Sequence, residues 1–299
     1  MSFRGIMFVS AMCVFVVSCS RNEKTVGTKE NPLVIGFSYP YYENLTDKDF
    51  TKLKRRIEDD LGIFVDFSTH KDSVDLLEKI GGRRIDVSFL TLNEYLIARE
   101  YYRVEPKLRV LRKKGVNSYY GVIATLSSDI INNIEKLDGK KIATRSPYSV
   151  SGFILPSIVF SRLRIKPVYI FTESFDFAVE KLRKREVDAV SVYKSYTEKN
   201  KDLKILYEFG PIPNEPVVCR SRLDKLLCGR VVNEFVKLCS EKEFKDIFSK
   251  MADITGFEES NISDYKELHQ IIKEYSHIIY TFIPQGIKIK KVSEEYKID

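Results

Sequence analysis

The chain has 299 residues, of which 43% are hydrophobic and 30% charged, proportions typical of a soluble globular protein and not of a disordered one. Its 49 basic and 42 acidic residues give a formal net charge of +7, but the basic residues are dispersed among acids and form no stripe with aromatic side chains. This pattern argues against nucleic-acid binding. The length is sufficient for two domains of ordinary size.

The N-terminus has the order of a signal peptide: one charge at Arg4, an apolar run over residues 6–17, and the small residue Ser18 before Cys19. A membrane-spanning helix needs roughly 20 apolar residues, more than this run contains. Ser18-Cys19 resembles the bacterial lipobox, whose cysteine becomes the lipidated first residue of the mature protein. We therefore expect removal of residues 1–18, lipidation of Cys19, export and membrane anchoring. An ordinary signal peptide cut nearby, or an unprocessed membrane-associated helix, is the alternative.

Residues 19–31 are polar and lack apolar periodicity, so they predict a flexible lipidated tether, with the folded part beginning near Pro32. From there short apolar strands alternate with amphipathic helices. Strands are predicted at 33–37, 63–67 and 85–90, and helices at 47–61 and 72–80. This order predicts a parallel sheet covered by helices.

The alternation then starts again. Further strands are predicted at 119–124, near 140–143, at 168–171 and at 187–192, with helices at 152–162 and 175–184. The segment Pro211-Ile212-Pro213 is expected to interrupt the chain before a strand at 216–220 and helices at 223–239, 243–251 and 263–275.

This order predicts an α/β protein of two lobes joined by two crossings, each lobe a mixed, mainly parallel sheet flanked by helices. Lobe 1 is expected to comprise residues 32–118 plus 217–299, and lobe 2 residues 119–216. A cleft between two such lobes is the usual place for a small-molecule ligand.

Two segments carry more specific information: residues 137–156, which begin LDGKKIA and contain SPYSVSG, and residues 85–90, IDVSFL, running to Tyr95. Together they resemble the phosphate/phosphite/phosphonate-binding proteins of bacterial ABC importers, over roughly residues 32–250. The resemblance implies a periplasmic-binding-protein-like fold of type II with no enzymatic activity and no cofactor. It also implies a monomer that captures a small anionic solute between its lobes and delivers it to an ABC permease.

In that family a Ser-Thr-Ser-Gly loop opens a helix and holds the ligand oxyanion; Ser149, Val150, Ser151 and Gly152 occupy these positions. Hydroxyls and free backbone N–H groups at a helix N-terminus converge where the helix dipole favours negative charge. With the amides of Gly152 and Phe153 included, we expect four or five donors. A simple helix cap by Ser149 or Ser151 is the alternative.

Two positions depart from the family pattern. Val150 stands where the family usually has Thr, and Phe175 where it commonly has His. Loss of a charged imidazole donor costs about 1–3 kcal/mol of hydrogen bonding. The pocket is therefore expected to be more apolar, which suits an organic ligand with a smaller charged head or a different ligand altogether.

The resemblance points to four further residues. Tyr39 and Tyr95 lie near positions where family tyrosines contribute a hydroxyl donor and an aromatic wall, although packing is the common role of a tyrosine. Asp176 matches a ligand-side position, with an N-cap or first-turn role as the alternative. Glu215, in the second crossing, is a candidate partner for a ligand amine.

Cys219, Cys228 and Cys239 form no Cys-x-x-Cys or Cys/His cluster that would indicate a metal. One disulfide, such as Cys228 to Cys239, can form if the protein is exported to an oxidising compartment. The favoured interpretation is that all three cysteines are small, buried, apolar side chains. An enzyme has little support, because the chain has three histidines and no nucleophile elbow, Walker loop or His-Glu-x-x-His motif. A lipid-anchored sensor or surface protein is the main alternative to an importer component, since both can use the same fold.

Overall fold

The computed structural model describes residues 25–275 with the exception of Lys114. The strands are β1 Leu33–Ser38, β2 Val65–His70, β3 Val87–Phe89, β4 Glu105–Leu111, β5 Ser118–Leu126, β6 Lys141–Thr144, β7 Val168–Phe171, β8 Ala189–Tyr193, β9 Leu203–Pro213, β10 Pro216–Cys219 and β11 Gly256–Glu259. The predicted signal peptide and Cys19 lie outside the described residues.

The helices are α1 Asp47–Leu61, α2 Ser73–Gly81, α3 Leu92–Tyr102, α4 Leu155–Arg162, α5 Phe175–Arg183, α6 Lys194–Lys199, α7 Lys225–Ser240, α8 Lys245–Lys250 and α9 Lys266–Glu274. Short 3-10 turns lie at Tyr39–Tyr41, Ile134–Leu137 and Ile262–Tyr265, and a π-helical turn at Val150–Ile154 leads directly into α4.

The strands form two mixed sheets. The first has six strands in the order β11-β4-β10-β3-β1-β2, with β2, β1 and β3 parallel and the other pairings antiparallel. The second has five strands in the order β7-β6-β8-β5-β9, with β7, β6 and β8 parallel and β5 antiparallel to both of its neighbours. The predicted α/β class is therefore confirmed.

The chain passes between the sheets twice, from β4 to β5 through residues 112–117 and from β9 to β10 through residues 214–215. Asn214 ties the two crossings together. Its side-chain amide donates to the carbonyls of Val110 and Val116, each at 2.9 Å, and its N–H donates to Asn117 O at 2.8 Å.

Local sequence determines where the helices begin. At α1, the Thr46 hydroxyl accepts a hydrogen bond from the N–H of Asp49 while the Asp49 carboxylate accepts one from the N–H of Thr46; Thr91 and Glu94 repeat this capping box at α3. Because these helices follow parallel strands, their N-termini lie along the edge at which the strands end. That edge is where such sheets bind ligands.

The prediction that Pro211-Ile212-Pro213 interrupts the chain is wrong. β9 continues through these residues and pairs only with β5, so it is an edge strand. A proline is tolerated there because its missing N–H can face away from the neighbouring strand.

One hydrophobic cluster contains residues from both sheets. It combines Tyr95 and Leu96 of α3 with Phe153 and Ile154 of the π-helical turn. The turn and α3 therefore share one hydrophobic core, to which Ile212 of β9 and Val218 of β10 also belong.

The cysteines differ from expectation. Cys219 of β10 and Cys228 of α7 form a disulfide, while Cys239 is buried and free. The favoured interpretation, in which the thiols were unpaired, is thus wrong, and so is the pairing of Cys228 with Cys239. β10 and the start of α7 are close in space, whereas Cys239 lies at the other end of that helix. Burial raises the pKa of the Cys239 thiol to about 11.

Candidate functional site

The loop after β6 forms the core of the candidate site. Ser149 caps the π-helical turn: its Oγ accepts a hydrogen bond from the N–H of Gly152 at 2.9 Å, and its carbonyl accepts one from the N–H of Phe153 at 2.9 Å. The helix cap thus uses the amides of Gly152 and Phe153, and their expected role in ligand binding stays a prediction.

The cap does not use the N–H groups of Val150 and Ser151. Neither donates a hydrogen bond within the described part of the chain. They are the first two of a helical segment, where N–H groups have no intrahelical acceptor and the dipole is positive. Both residues are 5% exposed, so an anion that reached these groups would be largely removed from water.

Only glycine fits at position 152, because neighbouring atoms occupy the space that a Cβ would need. A Cβ at this position would lie 2.2 Å from Thr144 Oγ1 and 2.8 Å from Ser149 Oγ. Thr144 Oγ1 donates to Ser191 O at 3.1 Å, and Ser191 Oγ donates to Ser151 O at 3.2 Å. These bonds hold the loop against β8 and leave no room for a side chain at Gly152.

Tyr119, at the start of β5, contacts the same loop. The side chain of Ser151 acts on its phenol and lowers the pKa. Burial and the negative charge of Glu215 raise the pKa of Tyr119, so the phenol stays protonated at neutral pH and can donate.

Glu215 has a cationic partner inside the protein. Arg112 Nη1 lies 2.6 Å from Glu215 Oε2, and the two side chains are 22% and 20% exposed. Burial, the largest single cause, lowers the pKa of Arg112, but the charge and hydrogen bond of Glu215 together with the charges of Tyr41 and Tyr119 outweigh it, and the net shift is upward. The two residues lie on different crossings, so the ion pair joins the crossings. This arrangement differs from the expected contact between Glu215 and a ligand amine.

Asp176 and Phe175 open α5. The Asp176 carboxylate accepts a hydrogen bond from the hydroxyl of Tyr196. The Phe175 ring lies 5.3 Å from that of Tyr193 and 6.0 Å from that of Tyr196. The position at which the family commonly has His is thus part of an aromatic cluster, and Asp176 has a partner within the protein.

The two predicted tyrosines have different surroundings. Tyr39 directly follows β1 and is half-buried, with its ring 5.6 Å from that of Tyr42 and the ammonium of Lys71 5.9 Å from its centroid. Tyr95 is 1% exposed, with its ring 4.7 Å from that of Tyr265. Tyr39 is therefore available at the edge of the first sheet, whereas Tyr95 takes the packing role that was its alternative.

Three residues around the site were not singled out from the sequence: Arg112, Tyr119 and Arg145. The partner of Arg112 lies 103 residues away, so no local pattern indicates it. Arg145 is different, because it lies four residues before Ser149, and a cation so close to a predicted anion-binding loop is visible in the sequence.

Among residues 25–275, Lys114 aside, no group of three or more His, Cys, Asp or Glu residues could hold a metal ion. Within the same part of the chain, every helix is too short or too polar to cross a membrane.

Comparison with known proteins gives a family. Residues 36–265 match the family described as the periplasmic substrate-binding protein of the phosphonate ABC transporter. No curated protein sequence gives a significant match.

Solved structures with the same fold include a Xanthomonas citri protein bound to ATP (TM-score 0.70, 17% identity, 82% of this chain and 97% of that one). A binding protein component of an ABC phosphonate transporter from Pseudomonas aeruginosa has a TM-score of 0.62 at 16% identity (89% and 96%). PhnD1 from Prochlorococcus marinus in complex with methylphosphonate has a TM-score of 0.63 at 15% identity (82% and 98%). These similarities confirm the predicted periplasmic-binding-protein fold of type II.

Proposed function

Because the chain belongs to the periplasmic substrate-binding protein family of phosphonate ABC transporters, a family of non-catalytic binding components, we propose that it captures a phosphonate- or phosphate-like oxyanion. The binding site is the loop from Ser149 to Gly152. The observation that carries this proposal is the pair of unused N–H groups of Val150 and Ser151, at a helix N-terminus between the two sheets. The match to the methylphosphonate complex of PhnD1 supports the same ligand class.

Capture involves closure of two lobes, lobe 1 from residues 32–118 plus 217–299 and lobe 2 from residues 119–216. The crossings at 112–117 and 214–215 are the hinge. A solute that contacts both lobes only when they are closed shifts the population towards the closed form. Tyr39 contributes from the first lobe and the loop from the second.

Delivery takes place beside a membrane. Cys19 carries the lipid, and the bound solute is passed to the permease subunits of an ABC importer. The tether is shorter than the predicted residues 19–31, because Val26 packs against the core and the carbonyl of Gly27 accepts a hydrogen bond from the N–H of Phe64 at 2.9 Å. The protein is thus held on the outer face of the membrane that contains its permease. The order of charge, apolar run and Ser18-Cys19 supports the anchor, and the family supports the importer.

Ligand binding is tested by thermal unfolding of residues 20–299 with phosphate, phosphite, methylphosphonate, methanesulfonate and ATP. We expect at least one tetrahedral oxyanion to raise Tm, and the double variant Ser149→Ala/Ser151→Ala to lose the increase. Asn133→Ala is the matched control: Asn133 accepts a hydrogen bond from the N–H of Lys136 at 3.2 Å in a turn before β6, at the opposite end of that strand. If none of these ligands raises Tm, the proposal fails.

The anchor is tested in the full-length chain by fractionation and fatty-acid labelling. The wild type is expected in the membrane fraction with label at Cys19, and Cys19→Ser in the soluble exported fraction without label. A labelled Cys19→Ser protein, or a wild type without label, contradicts the lipid anchor and leaves the ligand site unaffected.

A further inference from the structure

Arg145 is the unusual residue of the candidate site. It directly follows β6, is half-buried, and makes no hydrogen bond or ion pair to any other residue that the structure describes. The partly buried Arg112 and Arg220 are each paired, with Glu215 at 2.6 Å and with Asp86 at 2.7 Å. A guanidinium is always charged, and removing a charge from water without a partner is unfavourable. Among the residues that the structure describes, Arg145 therefore has no counter-ion, and it lies beside a loop suited to an anion.

The charge of Arg145 acts on a tyrosine at the end of the neighbouring strand. Burial and the charges of Asp176 and Asp253 raise the pKa of Tyr193, at the end of β8, whereas the smaller effects of the charges of Arg145 and Arg112 lower it. Arg112 lies on the first crossing and Arg145 on the loop after β6. Both charges therefore reach the same phenol, at the end of the strand that pairs with β6.

The acidic candidates at the site are already engaged. Glu215 is paired with Arg112, and Asp176 accepts the hydroxyl of Tyr196. A ligand ammonium group would have to displace one of these partners, and it would lie close to the positive charge of Arg145. The surroundings of the loop therefore favour a ligand with negative charge and without an amine.

We propose that Arg145 is the countercharge for the ligand head and makes the site selective for doubly ionised phosphonates without an amine, of which methylphosphonate is the simplest. This inference rests on the proposed function, because it requires the loop to hold the head group. The planar guanidinium can donate two parallel hydrogen bonds to two phosphonyl oxygens, which leaves the third oxygen to the N–H groups of Val150 and Ser151.

Two related classes of ligand should bind more weakly than methylphosphonate. A sulfonate has the same tetrahedral shape but one negative charge, so it gains less from Arg145. An aminoalkylphosphonate brings an ammonium group towards the positive charge of Arg145, while Glu215 and Asp176 already have partners, and this repulsion provides specificity.

The test measures dissociation constants by calorimetry on the mature chain at mildly alkaline pH, with methylphosphonate, 2-aminoethylphosphonate and methanesulfonate. The wild type is expected to bind methylphosphonate most tightly. Arg145→Gln should weaken methylphosphonate binding by roughly 10- to 100-fold, the usual contribution of a charged hydrogen-bonded pair, and change methanesulfonate binding much less. Arg145→Lys should recover part of the loss, because it restores the charge without the planar fork.

Arg164→Gln is the matched control, since Arg164 is exposed beyond the end of α4; it should bind as the wild type does. The ligand-free Arg145→Gln protein should be at least as stable as the wild type, because the change removes a charge without a partner. Equal methylphosphonate affinity in Arg145→Gln and wild type, or a wild-type preference for 2-aminoethylphosphonate, overturns the inference and leaves the oxyanion function intact. A wild type that binds none of the ligands overturns the proposed function itself.

Discussion

The two sheets present differently organised polar edges to the space between them. At the edge of the first sheet, Glu94 is 3% exposed and accepts hydrogen bonds from the hydroxyls of Ser38 at 3.0 Å and Ser73 at 2.5 Å. At the edge of the second, the guanidinium of Arg145 and the first two N–H groups of the helical turn have no partner in the described part of the chain.

The first edge contains a second set of mutually bonded groups. Ser68 Oγ lies 2.7 Å from His70 Nε2, and His70 Nδ1 lies 2.6 Å from Asp75 Oδ2. Polar groups that bond one another contribute to stability and are not open to a solute, whereas unpaired donors are open to one. The difference indicates that the first edge chiefly stabilises the fold and the second provides most of the capacity to bind an anion.

The largest expected effect is on the first edge. Glu94→Ala leaves the hydroxyls of Ser38 and Ser73 and the N–H of Thr91 without their acceptor. Buried donors left unsatisfied cost about 1–3 kcal/mol each, so we expect the free energy of unfolding in urea to fall by about 3 kcal/mol. Ligand affinity of the folded protein should change little. Exposed Glu43→Ala is the control, and equal urea midpoints for the two variants would contradict this difference between the edges.

A smaller effect on stability and a large one on binding are expected at the second edge. Gly152→Ala forces a Cβ against Thr144 Oγ1 and Ser149 Oγ, and crowding of this kind typically costs about 1–3 kcal/mol. Because the loop must move, the ligand-dependent rise in Tm should disappear.

Gly229→Ala is the matched glycine control for that variant. Gly229 lies within α7, and a Cβ there meets nothing within 4 Å. Alanine in a helix is favoured over glycine by about 1 kcal/mol, so this variant should be slightly more stable and should bind ligand normally. A Gly152→Ala protein that binds like the wild type would show that the loop is not the anion site.

The smallest effect concerns pH. The hydrogen bond from His70, together with Lys79, holds the pKa of Asp75 below its ordinary value of 3.8. A carboxyl whose pKa is lower in the folded state stabilises the protein above its unfolded pKa, and this stabilisation is lost as pH falls through the folded pKa. Asp75→Asn should therefore lower Tm slightly near neutral pH and reduce its dependence on pH below about 4. Asp66→Asn, on the strand β2 that carries His70, is the comparison, and an identical acid profile for both variants would contradict the role of Asp75. Ligand binding at neutral pH should be unaffected.

Much of the fold was predictable because it depends on patterns of a few residues. The helix predicted at 47–61 has the same limits as α1, since the cap at Thr46 and Gly62 are both local signals. α3 was missed because its apolar residues do not lie on one face: Leu92, Tyr95, Leu96 and Ile97 are all buried, which removes the helical periodicity that marks an amphipathic helix.

Within the candidate site, the loop was predictable and most of the partners were not. Ser149 to Gly152 form a contiguous motif before a helix, and the family match supports their placement. Whether Glu215 and Asp176 are open to a ligand depends on their partners, Arg112 and Tyr196. These partners lie 103 and 20 residues away in the chain. No pattern around either acid indicates its partner.

By itself the sequence determined the alternating α/β order, the family and the position of the loop proposed to bind the anion, because periodicity, capping and short motifs act over a few residues. Only the tertiary structure decided which polar groups are already paired: Glu215 with Arg112, Asp176 with Tyr196 and Cys219 with Cys228, but not Arg145. The reason is physical. A pair forms where the packing of helices on two sheets brings separate segments together, and that packing is set by the whole core.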